Sequence, residues 1–316
     1  MEAEKEDCFV LTERDESDIL LFCEIAKVNG AVLSLDELMH LTSINVTEEE
    51  LSHAWRGSDA LGSKYILEAG FVLEKDHTKG ITLASKREEE ERKERAIRNI
   101  GYSRRFAALC SSPLVRTLSI SGSTSYFSVS ESDDLDFFTV TSQDAVWIFL
   151  AKSLLLSRLK RIVSPKDPEI CFSYTVDAPL ADLAFSSPRS GLFARDALTV
   201  LPILGSSYYQ SLLARSFWMR EFFPKLYRSR LLGSKHLETR TEKRLPVFLR
   251  VANIFLYYTI GTYIRLKSWI LNRRFAKWGK YDRIFRLNIG TNRCIYESRS
   301  YLDLRRMYSK IRSRAV

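Results

Sequence analysis

Helical periodicity marks Asp18-Ile-Leu-Leu-Phe-Cys-Glu-Ile-Ala, with Asp18 as its expected N-cap. Ser34 and Glu37 are spaced as a capping box at the start of a second helix, and Thr47 starts a third that runs to Trp55. Phe71–Glu74 and Gly80–Leu83 flank a polar turn and read as a closing hairpin, or wing. A highly charged helix comes next, from Lys86 to Arg98, and continues to Cys110, where Pro113 ends it. Its later apolar residues Phe106, Ala107 and Leu109 are expected to pack on the strands beyond it. Val115–Ser121, Asp134–Thr141 and Ile170–Val176 read as those strands, with a buried helix from Ala145 toward Arg161 between the last two. Beyond them the pattern is helical, at about residues 189–202, 207–221, 246–271 and 299–314. The class is α+β, divided as a small N-terminal unit (1–85), a strand-bearing unit with its linker helix (86–188) and a helical C-terminal part (189–316).

Composition refines this picture. The 316 residues are 45% hydrophobic and 28% charged, as in a globular chain with a substantial core. Five scattered cysteines with no C-x-x-C, and four dispersed histidines, argue for a reducing compartment and against a zinc site. The acidic N-terminus lacks the basic start and apolar core of a signal peptide, so a cytoplasmic location is expected. The net charge of +9 hides an asymmetry: residues 221–316 carry 23 Lys and Arg against 6 Asp and Glu, while residues 1–220 carry 25 against 33. A basic C-terminal third suits a polyanion, nucleic acid or an anionic membrane surface, and equally suits solvated Arg-rich helix faces. Val251–Ile264 is fourteen residues without charge, short of the about 20 that span a bilayer. A buried helix is the expectation there, with membrane contact as the alternative.

The chemistry concentrates at Gly122-Ser123 and Asp134-Leu-Asp136. The first pair ends one strand and the second opens the next, twelve residues after Gly122. In a strand, residues i and i+2 share a face, so Asp134 and Asp136 project together beside the turn that glycine permits. Two such carboxylates suit Mg²⁺, which prefers hard oxygen ligands and shares them with phosphates.

At these residues the chain resembles the nucleotidyltransferase superfamily that shares its palm with DNA polymerase β. It is also similar to prokaryotic proteins that place a winged-helix-like segment before such a domain. The matching stretches are Arg104-Arg-Phe-Ala-Ala-Leu through Pro113-Leu-Val-Arg, Ile170-Cys-Phe and Leu192-Phe-Ala-Arg-Asp-Ala-Leu, within about residues 18–225. The resemblance implies a winged-helix-like unit, a palm with a mixed sheet and a helical domain. It implies that Gly122, Ser123 and Thr124 bind the triphosphate of an NTP, and that Asp134 and Asp136 hold one or two Mg²⁺ ions. An NMP would then pass to a hydroxyl of RNA, protein or a small molecule, with release of pyrophosphate.

Two positions depart from the family pattern. Phe127 stands where many members have a second glycine. The third strand, Ile170–Val176, holds no carboxylate, which leaves Asp182 as a candidate third catalytic group or as a surface or capping residue. Asp133 reads as a solvated neighbour of the pair. Arg195 with Asp196 reads as an ion pair, or as a phosphate or acceptor contact. A palm that binds nucleotide or a partner without turnover is the alternative function. DNA binding by the N-terminal unit is disfavoured, because the third helix carries Glu48, Glu49 and Glu50 against Arg56.

Overall fold

A computed structural model describes residues 9–28, 33–42, 44, 46–68, 70–75, 83–131, 133–165, 167–188, 190–232, 245–299 and 301–306. The first helix, α1 (Glu13–Val28), starts before Asp18. Thr12 Oγ1 accepts from the Asp15 N–H at 3.2 Å and Asp15 Oδ2 accepts from the Thr12 N–H at 3.1 Å, so Thr12 is the cap and Asp18 lies inside the helix. After β1 (Leu33–Ser34), the expected capping box of Ser34 with Glu37 forms on α2 (Leu35–Leu41), and Thr47, expected to start the third helix, forms a second one with Glu50 on α3 (Glu48–Arg56). A fourth helix, α4 (Asp59–Lys64), leads directly into β2 (Tyr65–Glu68) and β3 (Phe71–Glu74), and the sheet order is β1-β3-β2. The hairpin is therefore one strand earlier than the pattern suggested. Tyr65-Ile-Leu continues the apolar phase of α4 and hides its strand character, Gly80–Thr82 lie outside the described residues, and Leu83 opens the next helix.

That helix, α5 (Leu83–Cys110), carries i,i+4 ion pairs Glu89–Lys93, Glu91–Arg95 and Glu94–Arg98 at 2.6–3.8 Å. Phe106 and Ala107 are buried as expected, whereas Leu109 is exposed. Then come β4 (Val115–Ser121), the single turn α6 (Gly122–Ser125), β5 (Leu135–Thr141), α7 (Val146–Val163) and β6 (Ile170–Asp177). Asp177 caps α8 (Ala178–Ser186), accepting from the Leu180 N–H at 3.2 Å, and α9 (Gly191–Thr199) comes after it.

The remainder is not wholly helical. Among α10 (Ser206–Arg215), α11 (Pro224–Leu231) and α12 (Val247–Lys277) stand β7 (Leu201–Leu204), β8 (Phe285–Gly290) and β9 (Arg293–Ser298). All three strands join one six-stranded sheet, in the order β7-β4-β5-β6-β9-β8, which thus draws from both sides of residue 188. β5 and β6 run parallel and the other neighbours antiparallel, so the sheet is mixed, as expected. Residues 307–316, at the end of the expected basic helix, lie outside the described residues.

Alternation along β5 divides the core. Leu135 and Phe137 meet Phe106, Trp147, Phe149 and Phe172 under α5 and α7. Phe138 and Val140 point the other way, to a larger cluster with α8–α11 and the N-terminal unit, which joins it through Phe22 against Phe223 (ring centroids 6.0 Å). Asp136 shares the second face, at the end of the strand.

Candidate active site

The geometry of the site begins at a glycine. Ser121, the last residue of β4, pairs with Asp136 on β5. Gly122 comes next with φ +65°, and a Cβ built on it would lie 2.6 Å from Asp136 Oδ2. Any side chain here would meet both a strained backbone and the carboxylate, so the absence of one sets the Gly122–Ser123 backbone directly against Asp136. The turn is braced from within: Ser125 Oγ donates to the Gly122 carbonyl at 2.8 Å, and the Ser128 N–H donates to the Ser123 carbonyl at 3.0 Å. Helix α5 braces it from outside, with Arg95 Nε donating to the Val129 carbonyl at 2.9 Å and Asn99 Nδ2 to Thr124 Oγ1 at 3.4 Å. Thr124 is fully buried, so its side chain ties the turn to α5, while Ser123 stays partly accessible.

Phe127, where the resemblance led to the expectation of a second glycine, adopts φ +55°. The chain keeps the left-handed turn without the residue suited to it, a conformation that disfavours an L side chain by about 1–2 kcal/mol.

Asp134 is exposed and Asp136 half-buried. On the neighbouring strand Cys171 is the register partner of Asp136, and Cys171 and Ser173 favour the charged form of its carboxylate, while the Ser173 hydroxyl donates to the Phe137 carbonyl at 3.5 Å. Burial nevertheless pushes the Asp136 carboxyl up to about 7, with Asp134 and Asp133 adding to the shift. Asp134 is also raised, first by partial loss of water around its carboxyl, although the residue as a whole is exposed, and then by the charges of Glu169 and Asp133, against Arg161 and Arg283. Asp133 itself closes a tight turn, accepting from the Ser130 N–H at 2.9 Å and from Ser130 Oγ at 2.5 Å.

Glu169 is the carboxylate that the strand pattern left out. It precedes β6 by one residue, its carbonyl accepts from the Leu135 N–H at 2.7 Å, and its side chain pairs with Arg161 at 2.9 Å. The parallel register of Leu135 with Ile170 sets Glu169 alongside Asp134. Asp182 is elsewhere: it lies on α8, beyond the far end of β6, and pairs with Arg215 of α10 at 2.9 Å. The site carboxylates flank the start of β6, whereas Asp177 ends it, about 20 Å away at the strand rise. Arg195 is buried, ion-paired to Asp196 at 2.8 Å and stacked over the Tyr126 ring at 5.4 Å, which ties α9 to the loop after Gly122.

Beside this corner a cavity of about 230 Å³ lies between α7 and α12, lined by Arg161, Glu169, Ile170, Arg158, Tyr263 and Lys267 among others. Among the described residues, no group of three or more His, Cys, Asp or Glu side chains is gathered to hold a metal ion. Two carboxylates remain as candidates. Asp134 stands two residues before Asp136 and is close enough to raise its pKa, and the two carboxylates together offer the hard oxygen ligands that a divalent cation would suit. Protein-family models, curated proteins and solved structures yield no match to the chain.

Proposed function

We propose that the chain binds a nucleoside triphosphate with Mg²⁺ at the Gly122 turn and transfers its NMP to a hydroxyl acceptor. The observation that carries this reading is the apposition of Gly122 and Asp136, which leaves no room for a Cβ between phosphate-binding backbone and carboxylate. The Gly122 and Ser123 N–H groups and the Ser123 hydroxyl orient the phosphates. Asp134 and Asp136 hold the metal, which when bound neutralises phosphate charge and favours departure of pyrophosphate. The acceptor oxygen forms a bond to the α-phosphorus as the α–β phosphoanhydride bond breaks. Glu169 takes the acceptor's proton, in the role of a third carboxylate. The six-stranded sheet serves as the palm. The N-terminal order of helix, short strand, helices and hairpin supports a winged-helix-like unit used for packing or protein contact, because α3 opens with three glutamates.

A second reading, nucleotide binding without transfer, is favoured by one observation: β6 offers Cys171 and Ser173, not a carboxylate, to Asp136. Calorimetric titration with each of the four NTPs and Mg²⁺, beside an Asp134→Asn/Asp136→Asn double variant, tests both. Binding that the double variant loses, accompanied by pyrophosphate release in the presence of cell-extract acceptors, is the expected result. Binding without pyrophosphate supports the second reading, and a folded wild type that binds no NTP overturns both.

A further inference from the structure

Helix α12 is apolar on two sides: Leu256, Tyr257, Ile260 and Ile264 pack on the core, and a second apolar face is turned outward. Its buried positions are Asn253, Gly261, Ile264 and Ser268, of which one alone is a large apolar residue. Its exposed positions include Phe248, Val251, Phe255, Tyr258, Leu266 and Trp269, with Phe255 and Tyr258 each 65% exposed. These recur every three or four residues, with Thr262 filling the one gap, and so form a single stripe about 32 Å long at the helical rise. The run expected to be a buried helix therefore buries one apolar side and turns another outward.

The inner side is fastened to the protein. The Trp147 N–H donates to Asn253 Oδ1 at 2.8 Å, and Asn253 Nδ2 donates to the Thr291 carbonyl at 3.2 Å. Asn272 both donates to the Phe285 carbonyl at 2.8 Å and accepts from the Phe285 N–H at 3.2 Å. Gly261 lets Trp147 approach to within 3.3 Å of where a Cβ would be. By length and composition α12 could cross a membrane, but a helix held to a strand and a neighbouring helix along one side cannot be ringed by lipid. It can lie flat on a surface.

Charge identifies that surface. α12 contains Arg250, Arg265, Lys267, Arg273, Arg274 and Lys277 and no Asp or Glu. A second copy of the same face would set cations against cations. Trp278 and Tyr281, exposed just past the helix end, add the amphipathic aromatics that settle at a membrane interface. We infer that the outward face of α12 docks on an anionic lipid surface, with its apolar stripe in the headgroup boundary and its Lys and Arg side chains on lipid phosphates. Docked this way, the cavity between α7 and α12 is held at the membrane. The inference stands apart from the nucleotide site and does not depend on it.

The test uses the full chain with vesicles of phosphatidylcholine alone or mixed equally with phosphatidylglycerol, read by co-sedimentation and tryptophan emission. Association with the anionic vesicles alone, with a blue shift, is expected. A Phe255→Glu/Trp269→Glu variant and an Arg273→Gln/Arg274→Gln/Lys277→Gln variant should each weaken it by about tenfold or more while keeping the wild-type circular dichroism. Brominated lipid should quench the wild-type emission, a readout that needs no variant to fold. The inference is overturned by folded wild type that ignores anionic vesicles or escapes quenching. It is also overturned by binding that survives Phe255→Glu/Trp269→Glu, or by a wild-type dimer that this variant dissociates.

Discussion

At Asp136 a carboxylate is held in a place that disfavours its charge, and this has a measurable pH signature. Its folded-state pKa of about 7 lies above the ordinary 3.8, so between those values the folded chain keeps a proton that the unfolded chain has lost. Its contribution to stability is intact below the ordinary value and is lost as pH rises toward 7, by up to about 4 kcal/mol without a bound cation. Urea unfolding across this range should show the decline, and Asp136→Asn should flatten it; an unchanged slope in the variant would refute the assignment. Gly122→Ala places a methyl against the same carboxylate at positive φ, and should destabilise by about 2 kcal/mol or more and abolish NTP binding. Asp182→Asn removes a solvent-exposed ion pair with Arg215, and should change stability by less than about 1 kcal/mol and leave pyrophosphate release at the wild-type rate. A large loss of turnover would return Asp182 to the site.

At the scale of elements, α5 and α12 are held by opposite means. α5 is a charged helix whose Glu89–Lys93 and Glu94–Arg98 pairs reach solvent and whose buried side, from Ala96 to Cys110, carries the packing. α12 spends its polar residues inward: Asn253 is 1% exposed and joins the start of α7 to the β8–β9 turn. Asn253→Ala leaves the Trp147 N–H and the Thr291 carbonyl without that partner, and should destabilise by about 2–3 kcal/mol in chemical denaturation. A loss under about 0.5 kcal/mol would mean that this contact does not fasten the helix. Leu201-Pro-Ile-Leu204 shows how an element escapes pattern reading: four residues between two helices carry no alternation long enough to mark a strand, yet the edge of β4 takes them.

For the whole molecule, the carboxylate corner gathers β4, β5 and the start of β6, so ligand bound there should stabilise the fold cooperatively. Saturation with Mg²⁺ and an NTP at about a hundred times Kd should add about 2.7 kcal/mol. The gain should be larger at pH 8 than at pH 5, because Asp136 must ionise to hold the metal, and it should vanish in Asp134→Asn/Asp136→Asn. Thermal unfolding at the two pH values checks this. An equal shift at both would place the ligand elsewhere.

Local order was legible in the amino-acid sequence because neighbours along the chain determine it. The Ser34–Glu37 box, the start of a helix after Thr47 and the strands at 115–121, 135–141 and 170–177 arise from backbone geometry over a few residues, while Asp134, expected to open the second strand, lies one residue before it. Tertiary structure decided what depends on distant partners. β9 pairs with β6 across more than a hundred residues of chain, and its half-exposed, polar-rich alternation has no strand signal of its own. Glu169 stands beside Asp134 only because β5 and β6 are parallel and in that register, while Asp182 is carried away by α8. The outward face of α12 was equally hidden. An apolar run fixes how much hydrophobic surface a helix has, but the direction it faces depends on which residues the rest of the protein binds, and here those are Asn253, Leu256, Ile260, Gly261, Ile264, Ser268 and Asn272, which leaves Phe255, Tyr258 and Trp269 outside.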